Sequence, residues 1–365
     1  VDLIHECVVK MAKEISDFMN ITPDKQRMDS LMVAANIRNL SLLELFYTCV
    51  SNLCKIMNER GTKIPDEQHH YIEKDDYNKC IYHKRDMDAT ERTIVVMKDA
   101  DILIKICDST GDFDDTSEYQ LLIRLLKERT IIDDDGSRRL RQKEEVENPS
   151  EVLLNPSDPE ATFRYKAGGK HLGYVGNIVE SVGENGSLII DYDYQQNTYA
   201  DNQFMKDYLK RKKDFSDGSF LVADGTYSGE KNSRLASEHN LKLVTTNFTG
   251  RKPDEIYADF VFTEDGKYLI KCKNDCTPEE CSYDPGNDRS VAYFQRSKCE
   301  ECRYRDRCQP RFLKTRVRKE VSWKSVGRAK QLQYMQTEEF SEYAKFRNGV
   351  EAIPSLLRRR YHVDK

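Results

Sequence analysis

The stretch SFLVADGTYSGE, Ser219 to Glu230, decides how the rest of the chain is read. Phe220 to Ala223 is a short apolar run that predicts a buried strand, closed by Asp224 and Gly225. A helix is expected from about Glu230 to His239, and LKLVTTNF, Leu241 to Phe248, reads as the next strand. Upstream, Asn202 to Lys213 has helical periodicity. Before it, HLGYVGNIVESV, the turn GENG and SLIIDYDY predict a β-hairpin. Strands alternating with helices indicate an α/β core. Ligands of open α/β sheets gather at the carboxyl ends of strands, which makes Asp224 a candidate site residue. Its structural alternative is a turn or helix cap.

Working towards the N-terminus, Val1 to Met19 reads as an amphipathic helix, followed by RMDSLMVAAN, Arg27 to Asn36. Period-two alternation there places Asp29, Leu31, Val33, Ala35 and Ile37 on one strand face. An acid on an apolar face costs several kcal/mol unless something pairs it, so Asp29 is a second candidate. From about Ser41 to Glu147 the pattern is helical, clearest in LLELFYTCVSNLCKIM and EYQLLIRLLKER. DDDGSRRLRQKEEVENPSE reads as a solvated connector. Near the C-terminus, FSEYAKFRNGVEAI is expected to be helical, with Arg347 and Glu351 sharing a face four residues apart. Arg358 returns to within about 20° of Arg347 on a straight helix, although Pro354 can kink that face. An exposed ion pair worth about 0.3–0.5 kcal/mol is the plainer reading of Arg347 and Glu351.

The expected organisation is a leading helix and first strand (1–40), a helical insertion and connector (41–157), an α/β core (158–260), a cysteine-rich insertion (261–312) and a basic helical C-terminal part (313–365). No apolar run approaches the roughly 20 residues that cross a membrane, and no signal peptide is recognisable. A chain opening on Val1, already in helical pattern, is expected to be a fragment. Net charge is -5, but Glu301 to Lys365 holds 17 Lys and Arg against 8 Asp and Glu. A basic stretch on an acidic body suits a protein that meets phosphates on one face. A solvated charged surface accounts for the charges equally well.

Of the eleven cysteines, Cys7, Cys49, Cys54, Cys80 and Cys107 are scattered and read as ordinary thiols. Cys272, Cys276, Cys281, Cys299, Cys302 and Cys308 cluster. Four thiolates in tetrahedral array suit structural zinc. The expected ligands are Cys272, Cys299, Cys302 and Cys308, with Cys276 or Cys281 as substitutes. The surrounding Arg303, Arg305, Arg307 and Arg311 make a DNA-contacting knuckle one option.

The segments RMDSLMVAAN, DPEATFRYKAGGKHLGYVGN, VADGTYSGEKN and FRNGVEAIPSLLRR occur in the order seen in DDE transposases of bacterial insertion sequences, which the chain resembles from Met28 onward. Ala223-Asp224-Gly225 with Tyr227 is similar to the family's second-aspartate motif. Arg347, Glu351 and Arg358 keep the spacing of its glutamate helix, while Tyr343 stands one residue early. Around Asp29 the small flanking residues differ from the family pattern, but Ala35-Asn36 follows as expected. The resemblance implies an RNase H-like mixed sheet flanked by helices, with helical and zinc-knuckle-like insertions. It also implies that a DNA-binding region and a tail lie outside this chain. Asp29, Asp224 and Glu351 would hold two Mg2+ or Mn2+ ions, Asp29 bridging both. Arg347, Arg358 and Arg359 would hold phosphates. The implied partners are double-stranded DNA (terminal inverted repeats and target), bound by a homodimer in a bacterial cytoplasm at the nucleoid, with no membrane. Glu180, Asp191 and Asp193 are competing acids, and Asp201 reads as a helix cap. A nuclease without strand transfer and a degenerate copy that only binds DNA are the alternatives.

Overall fold

The computed structural model describes residues 2–83, 88–166, 168–212, 215–248 and 250–364. It is a mixed α/β structure that divides into two compact units. The first comprises Val1–Ser30, Asn177–Asp193 and Ala200–Arg359; the second comprises Leu31–Gly176, Tyr194–Tyr199 and Arg360–Lys365. No described helix is long and apolar enough to cross a membrane.

Helix α1 (Leu3–Met19) starts on an Asp2 cap and stops where Asn20 turns left-handed. Strand β1 (Lys25–Ala34) follows. Its interior is buried in two blocks, Gln26 to Met28 and Leu31 to Met32, instead of on alternate residues. A strand between two neighbours in a covered sheet hides both faces, so simple alternation was the wrong template. Ala35 and Ile37 lie beyond its end.

The second unit carries the helical segment: α2 (Leu42–Glu59), the short α3 (Asp76–Asn78), α4 (Ala89–Thr110) and α5 (Ser117–Arg129). A Ser41–Glu44 capping box sets the start of α2. Phe46, Leu53, Met97, Leu103 and Leu122 form its fully buried core. The charged stretch from Asp133, expected to be a solvated connector, instead supplies the turn and second strand of a hairpin, β2 (Thr130–Ile132) just before it and β3 (Arg138–Leu140) within it. Arg138 is paired with Asp101, and Arg139 with Asp133 and Glu145, so these charges anchor the segment.

Strands β4 (Thr162–Lys166), β5 (Gly169–Gly183) and β6 (Gly186–Gln196) come next, with β4 antiparallel to the start of β5. After them run α6 (Asp201–Arg211), β7 (Phe220–Ala223), α7 (Glu230–Glu238) and β8 (Lys242–Thr245). The mixed sheet has the order β4-β5-β1-β7-β8, with β6 also on β5; β1, β7 and β8 are parallel. Val1 and Lys213, placed in helices by the sequence, lie outside the described residues.

The cysteine-rich segment folds as β9 (Val261–Phe262), β10 (Leu269–Lys271), β11 (Glu280–Asp284), β12 (Arg289–Gln295), α8 (Arg296–Glu300), α9 (Arg305–Cys308), β13 (Arg311–Phe312) and β14 (Arg316–Val321). Four of these form an antiparallel sheet, β11-β12-β14-β13, which therefore extends past 312. Helices α10 (Trp323–Tyr334), α11 (Glu338–Arg347) and α12 (Ala352–Tyr361) end the chain. Phe340 of α11 joins Val222 of β7 and Val244 of β8 in one core, and Tyr343 packs edge-on against Phe220, ring centroids 4.8 Å apart.

Gly173 of β5 has φ 128°, and a Cβ there would collide with the backbone of Val33 and Ala35. Gly173→Ala is expected to destabilise the second unit by about 1–3 kcal/mol, as overpacking does. Urea unfolding would read this as a lowered midpoint with unchanged slope.

Candidate functional site

Asp29 reaches the site from the middle of β1, with its carboxylate accepting from the Ser30 amide at 3.0 Å. Asp224 follows the last residue of β7, the strand parallel to β1. One of its oxygens accepts from the Thr226 amide and hydroxyl, each at 2.5 Å. The capping role is therefore real, and it concerns Oδ1. Glu351 is exposed and lies between α11 and α12.

These groups share one electrostatic neighbourhood. Burial pushes the Asp29 carboxyl up to about 6, and the charges of Asp224 and Glu351 push in the same direction. The Ser30 amide and the Arg347 guanidinium oppose the rise. Arg347 is half-buried, and its Nε is buried without a hydrogen-bond partner among the described residues. The three carboxylates are not packed into mutual contact: their oxygens do not all fall within 4.8 Å of one another. Two metals about 3.5–4 Å apart do not require such contact.

The expected continuous helix carrying Arg347 and Glu351 is broken. Helix α11 ends at Arg347, Asn348 to Glu351 form turns, and α12 begins at Ala352. Arg27 lies against this break. Its guanidinium donates to the Phe346 carbonyl at 3.3 Å and occupies the space where a Cβ at residue 349 would sit, so Gly349 leaves it room. Pro354 then falls in the first turn of α12, where its missing N–H costs nothing. The straight-helix relation of Arg358 to Arg347 is lost with this break. Arg359 is exposed, its Nε 3.4 Å from the Ser355 carbonyl.

Arg27 is itself held by Glu180 of β5, Nε to Oε2 at 2.5 Å and Nη2 to Oε1 at 2.9 Å, both side chains buried. That pair removes Glu180 from the competing acids. Asp191 is bound by His5 and Arg211, and Asp193 by Arg211. Asp201 is the first residue of α6, whose cap position is Ala200 and has no side-chain cap bond, so the capping role expected for Asp201 is not realised.

Sequence reasoning missed Asn177 of β5. Its Nδ2 lies 2.6 Å from the buried Tyr227 hydroxyl and 3.3 Å from the Asp29 carbonyl, tying the two motifs together. Asn232 donates to the Tyr227 carbonyl at 2.9 Å. Only the family-like segment containing Gly176-Asn177 hinted at this role.

Five cysteines line one small cavity: Cys272, Cys276, Cys299, Cys302 and Cys308, against Phe260 and Phe294. Burial, with the neighbouring thiols adding, pushes Cys299 up to about 12; burial also raises Cys272 and Cys308. All four expected ligands are thus together, with Cys276 beside them. Cys281 instead sits 3.0 Å from the Ser290 hydroxyl. No three of the sulfurs lie mutually within 4.8 Å, a looser set than a closed tetrahedral site.

That criterion is met elsewhere by His70, Asp76 and Cys80. Asp76 Oδ2 accepts from Tyr47 at 2.6 Å and from the Cys80 thiol at 3.3 Å, with His70 Nδ1 at 2.7 Å. Burial pushes Asp76 up, but these hydrogen bonds outweigh it and hold the carboxyl below its usual range. An imidazole, a carboxylate and a thiol suit a borderline-soft cation. The hydrogen bonds alone also account for the cluster.

A scan against protein-family models, a search of curated proteins and a search of solved structures return no match to this chain.

Two predictions follow from this geometry. Asp29 is protonated in both folded and unfolded chains below its ordinary value of 3.8. Between there and about 6 only the folded chain keeps the proton, so stability falls as pH rises. Asp29→Asn is expected to abolish that decline and to raise stability at pH 7 by about 1–3 kcal/mol; melting curves from pH 4 to 8 check it. Glu180→Ala leaves Arg27 buried and unpaired and should cost about 3–5 kcal/mol. The Arg27→Met/Glu180→Leu double variant should cost less than Glu180→Ala, which urea titration would resolve.

Proposed function

We propose that this chain is the catalytic part of a DDE-type transposase with an RNase H-like fold, cleaving DNA at element ends and joining those ends to target DNA. The observation that carries the reading is that Asp29 of β1 and Asp224, at the end of the neighbouring parallel strand β7, come near enough to Glu351 for both charges to act on Asp29, whose carboxyl is pushed up chiefly by burial. A divalent cation would offset both the burial and the like charge. The donor set, all carboxylate oxygen, fits Mg2+ or Mn2+. Two such ions would supply an activated water or 3′-hydroxyl and stabilise the leaving oxygen of the phosphodiester. The parallel neighbours β1 and β7, which bring Asp29 and Asp224 forward, are consistent with the RNase H-like sheet.

The chain's own residues have distinct parts in this scheme. Asp29, Asp224 and Glu351 hold the metals. Asn177 and Tyr227 fix the backbone behind Asp29. Arg347, poised beside the acids with an unpartnered buried Nε, binds a non-bridging phosphate oxygen. Arg358 and Arg359 of α12 contact the DNA backbone further out. The partner is double-stranded DNA, held by a homodimer at the nucleoid. Four of the five clustered cysteines would hold a structural zinc ion, which would stabilise the antiparallel sheet beside them.

The test is Mg2+- or Mn2+-dependent cleavage and joining of oligonucleotides carrying the inverted repeats that flank the gene. Asp224→Ala should reduce both by at least about a thousandfold while leaving binding measured in Ca2+ intact. Cleavage without joining would favour a nuclease. DNA binding with no cleavage in any variant would sink the enzymatic reading.

A further inference from the structure

Within the first unit lies an open cleft of about 650 Å3. Its floor is the carboxyl end of β8, Leu243 to Thr245, and Thr245 is the register partner of Ala223 on β7. One wall is formed by Ser228, Gly229 and Lys231 to Ser233 at the start of α7; the other is α10. Cations dominate its charged lining: Lys206, Lys231, Lys324, Arg328 and Lys330. No Asp or Glu contributes among the described residues. This is a strong local bias in a chain whose net charge is -5. Lys231, Lys324 and Lys330 are exposed. Arg328 is oriented by its bond to the Arg251 carbonyl at 2.9 Å and by the Phe248 ring, 4.4 Å away. The floor is fixed as well: Gln331 donates to the Thr245 hydroxyl at 2.9 Å, and buried Asn232 donates to the Asn202 carbonyl at 3.2 Å.

We propose that this cleft binds the phosphodiester backbone of the DNA strand that passes the carboxylate site. Like-charged side chains converging on one concavity repel each other unless an anion enters, and low-dielectric walls strengthen their field on it. A volume of this size accommodates a nucleotide-sized piece of backbone. The adjacency of Thr245 to Ala223 then sets the direction: a strand lying over β8 continues past Asp224. The identity of the polymer rests on the transposase reading; the anion site rests on the cleft itself.

The experiment is fluorescence anisotropy with the full chain and a labelled DNA duplex in Ca2+, over a series of salt concentrations. Lys231→Ala/Lys324→Ala/Lys330→Ala, all exposed positions, should fold normally by circular dichroism. It is expected to weaken binding at least tenfold and to lower the slope of log Kd against log salt by about 3, nearly one per lost phosphate contact. An unchanged affinity and slope in the triple variant overturns the cleft assignment. If wild type still cleaves DNA in Mn2+ in that case, the catalytic reading survives without it. If wild type never cleaves but the slope falls as expected, the cleft stands and the catalytic reading fails. Pyrophosphate or ATP binding to the cleft, with no lysine-dependent duplex binding, also overturns the proposal, in favour of a small-anion site.

Discussion

The arrangement of the candidate site depends on one buried ion pair, Arg27 with Glu180. Burying two charges is costly, and the cost is recovered only when geometry is good and the remaining protons find acceptors. Here the guanidinium meets the carboxylate through two nitrogens, and its third donor reaches the Phe346 carbonyl. A single side chain thus ties β1, β5 and the end of α11. It also lies over the Phe346 ring, 5.8 Å from its centroid, which adds an aromatic contact to the polar ones. Arg27 fills the space beside Gly349, in the turn that follows α11 and carries Glu351. Asp29 stands two residues beyond Arg27 on the same strand. The residue that organises the fold and the residue that meets the other acids are therefore set by one register.

Against this frame the acids of the sheet fall into two kinds. Glu180, Asp191 and Asp193 have cationic partners at 2.5–3.4 Å. They are neutralised within the fold. Asp29 has a backbone amide and a more distant guanidinium, and feels two further carboxylates. Leaving a half-buried acid in that condition costs stability, and such a cost concentrates at places built for a ligand. Asp224 combines both kinds: its Oδ1 closes the Gly225–Tyr227 turn, which fixes the side chain as a cap would. A cap and a metal ligand are not exclusive, since a carboxylate has two oxygens.

Local features were legible in the sequence where local rules govern them. The apolar run ending at Asp224, the hairpin around Glu184-Asn185 and the helices near 42–59 and 117–129 all follow from short-range pattern. What could not be read depends on partners far along the chain. At the break between Arg347 and Glu351 the chain meets Arg27, more than 300 residues away, and the sequence around Glu351 retains helical periodicity. Asn177 looks like one polar residue in a β-rich stretch until Tyr227 is placed against it. The expected connector became a hairpin because its arginines find acids in α4 and beside the turn. Cysteine spacing indicated a cluster, but it could not tell that Cys276 lines the shared cavity while Cys281, packed against the same core, meets the Ser290 hydroxyl instead.

Charge distribution carries the functional argument further than total charge. With a net charge of -5, any binding of a polyanion would have to come from a local concentration of cations. Arg347 stands among the acids, while the lysines of α7 and α10 line the neighbouring concavity. The separation has a chemical logic. Arg347 only partly offsets the charge of the acids, whereas the lysines of the cleft, on the proposed reading, would neutralise a nucleic-acid backbone without competing with divalent ions for those acids. The exposed lysines are separate from the buried pair that sets the site, so the field that draws a polyanion can change without disturbing the backbone that presents the carboxylates.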